Sequence, residues 1–580
     1  MIRLSEIKLP LDPPADALSR AVQGLLGIDA DAIADIHVHK RSFDARKVDL
    51  LQVFIVDVTL TDTAQEATVL ARLADNPRAA ASPDMTYHPP ARAPAGLPLR
   101  PVVVGFGPCG IFCALVLAQQ GFRPIVLERG KAVRQRTRDT WNLWRKGVLD
   151  PESNVQFGEG GAGTFSDGKL YSQIKDPRFL GRKVMEEFVK AGAPPEILYV
   201  AHPHIGTFKL VKVVENIRAQ IIALGGEIRF EQRVTDVQIE ADADGQKHIR
   251  GLTVHDQQTG ATSELRCDDV VLALGHSARD TFEMLHARGV LIEAKPFSIG
   301  FRVEHPQGLI DRARWGRHAG HPLLGSADYK LVHHASNGRA VYSFCMCPGG
   351  TVVAAASEPG RVVTNGMSQY SRNERNANAG MVVGIEPTDF PGWEDGATGS
   401  PLAGMALQRQ LESNAFVLGG GDYRAPAQLV GDFVAGTPST ALGEVVPSYT
   451  PGVTPTDLHA ALPGYAIEAM REAFPVFGRK IRGFDMHDAV LTGVETRTSS
   501  PIRIARGEAD CQSPNVRGLF PAGEGASYAG GILSAGVDGI RVAEAVAREI
   551  LRGAGRAAGS VATATPTEPP SANADAIAMP

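Results

Sequence analysis

Three glycines, Gly105, Gly107 and Gly110, stand between an apolar run, Val102-Val103-Val104, and an apolar helical pattern over Ile111–Gln119. In the order strand, G-x-G-x-x-G, helix, each glycine has its own task. The first permits a tight turn, the second lets backbone approach a pyrophosphate, and the third lets helix and strand pack closely. The N–H groups at the helix start, around Pro108 and Cys109, then face the phosphates. A second apolar run, Ile125-Val126-Leu127, ends at Glu128-Arg129, at the spacing where a carboxylate accepts hydrogen bonds from a ribose diol. An acid in that place argues against a 2′-phosphate, hence against NADP at this site. The unit by itself serves NAD and FAD alike.

Other residues carry chemistry of their own. The stretch Glu159–Gly168, EGGAGTFSDG, is too rich in glycine for the interior of a helix or strand. It reads as a loop that brings Gly160, Gly161, Ala162, Gly163 and Thr164 against a ligand, with an ordinary surface loop as the competing reading. Lys169, just beyond, serves either as a counter-charge or as a solvated lysine. Cys345 and Cys347 lie two apart, and in a strand such residues share a face, so both thiols would point into one pocket as a redox pair. Burial as small hydrophobes is the weightier alternative, because Tyr342–Thr351 holds no basic residue to lower a thiol pKa. Cys109 and Cys113 share one helical face and read as core. His204, with His202 in HPHIGT, is a candidate proton donor. No further ligand stands nearby at metal spacing, so no metal site is expected. Arg497 reads as an anion site or as the ion-pair partner of Glu495.

The elements that must position these residues occupy a chain of 580 residues, too long for one core. Residues 1–90 alternate strand, helix, two strands and helix, a small α+β unit of ferredoxin-like order. Residues 91–100 form a stiff Pro/Ala linker. An α/β, Rossmann-like fold begins at residue 101 and runs to 284. Residues 285–485, a mixture of strands and loops with many Pro and Gly, read as an inserted, largely antiparallel substrate or cap domain. Residues 486–552 return to the first fold, and the Ala/Thr/Pro-rich tail 553–580 is expected to stay unfolded.

Several segments together carry a family resemblance: GFGPCGIFCAL, QFGEGGAGTFSDGKL, HPHIGT, LALGHSARD, KPFSIGFRVEHPQ, FCMCPGG, GVETRTSSPIRI and PAGEGASYAGGILSAGVDGI. On these the chain resembles the FAD-dependent dehydrogenase flavoproteins, within the two-dinucleotide-fold group that includes glutathione reductase. The resemblance implies FAD, an oxidoreductase and one large flavin fold with an inserted domain; it implies no substrate. It also implies that the strand ending in Gly523-Glu524 returns to the flavin, with the acid at the ribityl or pyrophosphate region. The helix start at Gly530, Gly531 and Ile532 would then point its positive end at the flavin N1–O2 edge. Val234 would offer backbone to the adenine, and Gly275 would turn the chain back under the nucleotide. In glutathione-reductase-type enzymes the active disulfide lies on the helix after the first turn, not where Cys345 stands.

Composition narrows the classes of function. With 21% charged residues and a net charge of -5, the chain has no electrostatic footprint for nucleic acid. No apolar run is long enough to cross a bilayer, and MIRLSEIKLPLD lacks a signal-peptide core. Six scattered cysteines agree with a reducing compartment, so a cytoplasmic protein is expected. No second strand with G-x-G-x-x-G follows, which leaves NAD(P)H at most a transient donor. Two functions compete. One is an FAD-dependent oxidoreductase acting on a small-molecule substrate or electron carrier. The other is a non-catalytic or redox-sensing flavoprotein whose N-terminal unit docks a partner protein or RNA.

Overall fold

The computed structural model describes residues 1–46, 49–393 and 399–562, with side chains to residue 553. The N-terminal unit contains β1 (Ile2–Pro10), α1 (Ala17–Leu26), β2 (Ile33–Asp44), β3 (Leu51–Leu60), α2 (Glu66–Arg72) and β4 (Ala79–Ala81). Its four strands form an antiparallel sheet in the order β2-β3-β1-β4. In β1 the buried residues are Ile2 and Leu4, then Ile7 and Leu9. That break in alternation is a bulge between Leu4 and Ile7, with Glu6 at φ 53, which restores the apolar face after one extra residue. Val22, Leu26 and Val69 of the two helices close this core.

The second layer system is a five-stranded parallel sheet. Its order is Leu519–Pro521, Val270–Leu272, Val102–Val104, Ile125–Leu127, Glu227–Arg229. All but the last strand are buried along their whole length, which is why they read as unbroken apolar runs. Helix Pro108–Gln119 packs against helix Ile532–Ala562, and Gly539 makes the approach close: a Cβ there would lie 2.3 Å from the Cys109 carbonyl oxygen. A three-stranded antiparallel sheet, Gln232–Ala241, Lys247–Asp256 and Thr262–Arg266, branches from it.

The third unit is a seven-stranded sheet, in the order Val332–His334, Ala340–Cys347, Asn376–Ile385, Phe297–Pro306, Val490–Glu495, Ala425–Leu429, Val453–Pro455. Every neighbouring pair is antiparallel except the last. Helices Ala403–Gly419 and Gly464–Lys480 contribute to its large apolar core.

Two boundaries differ from those read in the sequence. Strand Val490–Glu495 belongs to the antiparallel sheet, paired with Phe297–Pro306, whereas the sequence placed residues from 486 in the parallel fold. An apolar run such as VLTGVE does not reveal which sheet it joins; only the pairing does. The last helix continues to Ala562, ten residues beyond the expected start of an unfolded tail. Residues 553–562, GAGRAAGSVA, hold four alanines, the strongest helix formers, and these continue the helix despite three glycines. Residues 563–580 lie outside the described part. Among the described residues no helix is long and apolar enough to cross a membrane.

Candidate functional site

A cavity of about 1190 Å³ lies where the parallel and antiparallel sheets meet, and most of the residues singled out in the sequence line it. It exceeds the roughly 300–1,000 Å³ typical of small-ligand clefts.

One end is made largely of backbone. Gly105 has φ 100, and a Cβ on it would sit 2.5 Å from the Ala273 carbonyl oxygen; one on Gly110 would sit 2.0 Å from the Gly105 oxygen. Protein packing therefore demands both glycines. Gly107, at the cap of helix Pro108–Gln119, is different: its nearest neighbour to a Cβ is Gly161 Cα at 3.6 Å. The protein leaves ordinary contact room for a Cβ there, and the position opens on the cavity beside Pro108 and Cys109. Glu128 is buried and accepts three backbone N–H bonds, from Phe106 and Gly130 at 2.8 Å and from Gly158 at 3.0 Å. A carboxylate has about four acceptor sites, so one remains for a ligand hydroxyl. Arg129 is held by Glu152 and Asp280 and lies 4.1 Å above the Phe157 ring. Val234 and Gly275 complete this end.

The glycine-rich loop is anchored from behind. Arg136, fully buried in helix Val133–Lys146, donates to the carbonyls of Asn154, Val155 and Glu159 at 2.7–2.8 Å. Burial lowers its guanidinium to about 10, against the pull of Glu128 and Glu159. Gly161, Ala162 and Gly163 reach the cavity. Gly160 and Thr164 do not: they turn toward Val214 of helix Thr207–Ala223, and a Cβ on Gly160 would strike Thr164 Oγ1 at 2.1 Å. Their expected ligand contacts are corrected to packing, because a loop this tight has an inner and an outer face.

The returning strand divides similarly. Glu524, Gly530, Gly531 and Ile532 line the cavity. Gly523 faces inward instead, with Cys109 Cβ 2.9 Å from where its Cβ would be, and it donates to Asp538 at 2.8 Å. The Glu524 carboxyl is pushed up to about 7 by burial and by negative charge at Cys345, with Lys295 opposing.

The other end is made of side chains. Cys345 lines the cavity but Cys347 does not, so the expectation of two thiols on one face is overturned. A register shift between Phe344 and Cys347 and a φ of 42 at Cys345 break the period-two alternation of strand Ala340–Cys347. Cys347 is buried, and its thiol donates to the Cys345 carbonyl at 3.4 Å. Basic residues, missing locally in sequence, arrive from elsewhere. Lys169 Nζ donates to the Met346 carbonyl, and Arg302 Nη1 to the Cys345 carbonyl at 2.8 Å. Hydrogen bonding from Cys347 holds the Cys345 thiol well below its ordinary pKa against burial, with Arg302 and Lys169 adding to the fall; Cys347 is pushed up. Burial works against the Lys169 charge, but the thiols and Asp167 outweigh it and raise its pKa.

His204 is not at the cavity. Its Nε2 donates to the Tyr370 carbonyl at 2.9 Å, and burial lowers its pKa, so the proposed proton donor is corrected to a structural histidine. His202 does face the cavity, 3.3 Å from Asp328 and stacked on Tyr171. His276, which the sequence reading passed over inside LALGHSARD, lines it too, and burial pushes it down to about 3, so it is neutral. Arg497 pairs with Glu412 at 2.9 Å rather than with Glu495, which binds Arg302 at 2.9 Å. Glu412 also takes Arg279, and no local pattern announced this buried network. Among the described residues no group of three or more His, Cys, Asp or Glu is arranged to hold a metal ion.

Comparison with known proteins gives three findings. Residues 296–498 match the family described as FAD-dependent protein, C-terminal domain-like, and residues 1–59 match a domain of unknown function, DUF8436. A Clostridium beijerinckii protein, described as uncharacterized, is 46% identical over 551 residues, covering 94% of this chain and 98% of its own length. Among solved structures, quinol fumarate reductase FrdA of E. coli aligns over 80% of this chain and 74% of its own at 13% identity and TM-score 0.33. A geranylgeranyl bacteriochlorophyll reductase-like protein of Thermoplasma acidophilum aligns over 78% and 79% at 12% identity and TM-score 0.34.

Proposed function

This chain belongs to one family with the Clostridium beijerinckii protein, and from that premise we propose that it is an FAD-dependent oxidoreductase acting on a small-molecule substrate or electron carrier. The observation that carries the reading is the single cavity. It joins an open glycine turn and a carboxylate with one acceptor site free at one end to ionisable side chains at the other. When bound, FAD would supply hydride or electron transfer at its isoalloxazine ring. The residues fit the cofactor. Gly107 leaves room for a pyrophosphate, the free first-turn N–H groups after Pro108 would face it, and Glu128 would accept from a ribose hydroxyl. The Glu524 carboxyl, which lines the cavity, would meet a ribityl hydroxyl. The start of helix Ile532–Ala562 would favour negative charge at the flavin N1–O2 edge.

The strand order β2-β3-β1-β4 favours a ferredoxin-like N-terminal unit, and the parallel sheet with its glycine turn favours a Rossmann-like fold. NAD(P)H would act only as a transient donor. Six free cysteines favour a reducing compartment such as the cytoplasm. The family match does not favour a non-catalytic flavoprotein.

The test is direct. Purified protein should be yellow, denaturation should release FAD rather than FMN, and anaerobic titration against a panel of donors should bleach it. Colourless protein that takes up no FAD on reconstitution would overturn the proposal.

A further inference from the structure

We propose that Cys345 and Cys347 form a second redox centre, a dithiol that closes to an internal disulfide and exchanges its two electrons with the flavin. The inference rests on the FAD reading above for its electron partner, and on this chain alone for the thiol pair.

The arrangement is specific. Cys345 lines the cavity, and Cys347, buried and off the cavity, is hydrogen-bonded to its side chain. The positive φ at Cys345 bends the strand out of regular extension, and the Cys347 thiol already hydrogen-bonds back to the Cys345 carbonyl. Gly366 leaves room for that thiol: a Cβ there would come within 2.9 Å of Cys347 Sγ. The two successive carbonyls between the cysteines are held by cations, Arg302 on Cys345 and Lys169 on Met346. The charged and titratable groups around Cys345 are Cys347 of its own strand, Lys169 and Asp167 of the loop, Arg302 and Glu495 of further strands of the same sheet, and Glu524 of the returning strand. The two cations favour a thiolate at Cys345; Asp167 opposes it. Burial without such cations would raise a thiol pKa, as it does at Cys113.

The step balances. The Cys345 thiolate and the Cys347 thiol form one S–S bond, Cys347 releases its proton, and two electrons pass to the oxidised flavin, which takes up the proton. The reverse step breaks the S–S bond, returning a thiolate at Cys345 and a thiol at Cys347.

Holoprotein is treated with diamide or with dithiothreitol, quenched in acid, denatured and alkylated. The oxidised sample should show two fewer alkylated thiols, and the peptide containing residues 345–347 should be lighter by two hydrogens. Equal thiol counts overturn the pair, whatever the colour of the protein. Anaerobic dithionite titration of diamide-treated yellow protein should consume four electron equivalents per chain, and Cys347→Ser only two. Two equivalents in both would overturn the exchange. Colourless protein that still forms the disulfide would overturn the FAD reading and the flavin as partner, while leaving the pair. Lys169→Met should slow alkylation of Cys345 at pH 7 by about tenfold and move its pH profile upward, with Lys169→Arg restoring it. A profile that does not move would remove the lysine from the centre. If Cys347→Ser does not fold, Cys347→Ala serves the same purpose.

Discussion

The two ends of the cavity are built by opposite means. At the nucleotide end, residues close in sequence present backbone: a glycine turn, a helix start and one carboxylate that gathers three N–H groups. At the thiol end, residues far apart in the chain, Lys169, Cys345 and Glu524, present side chains, and Arg302 holds the Cys345 carbonyl. A backbone site is specified by local geometry. A side-chain site depends on where separate strands happen to pair. The first tolerates almost no change in one short segment, and the second shares its properties among several elements.

The largest effects should separate packing glycines from ligand glycines. Gly110→Val places a side chain against the Gly105 carbonyl and should abolish soluble protein, as measured by expression and circular dichroism. A Cβ at Gly107 meets no protein atom closer than ordinary contact, so Gly107→Val should fold with a melting temperature near that of the cofactor-free parent and lose its FAD, read by absorbance. Equal stability of the two variants would erase the distinction.

Next is the buried network beneath the cavity. Glu412→Gln leaves Arg279 and Arg497 without their shared counter-charge, and chemical denaturation should show a loss of about 3–5 kcal/mol. Glu524 should reveal itself through pH. Its folded pKa, about 7, lies above its unfolded value, so the native state binds the extra proton in that window. Cofactor-free protein should lose up to about 3 kcal/mol of stability as pH rises from 4.5 to 7, with no further change above. Glu524→Gln should flatten this slope. The smallest effect belongs to His204→Gln, which keeps a donor for the Tyr370 carbonyl. Flavin reduction rates should stay within about twofold of the parent, since His204 lies outside the cavity; a loss near a hundredfold, the scale of general acid catalysis, would restore it as a proton donor.

How much of the site was legible follows from the same contrast. Gly105, Gly107, Gly110 and Glu128 could be read because strand, turn and helix are consecutive and each step has a local signature. Gly160, Thr164 and Gly523 sit in equally glycine-rich contexts but face inward, and composition does not distinguish the two faces of a tight loop. His276 carried no signal beyond a turn, because burial sets its charge and Arg497, the larger of its two cationic neighbours, comes from a distant part of the chain.

The amino-acid sequence by itself determined the dinucleotide turn, the alternation of elements and the presence of two cysteines two residues apart, since these depend on spacing along one segment. Only the tertiary structure decided the rest. It put strand Val490–Glu495 in the antiparallel sheet, took Cys347 off the cavity while keeping it against Cys345, and brought Lys169 and Arg302 to the thiols. A bulge is a property of how two strands pair, and the charge around a buried thiol is a property of what the fold packs against it; neither is written in the segment that carries the cysteines.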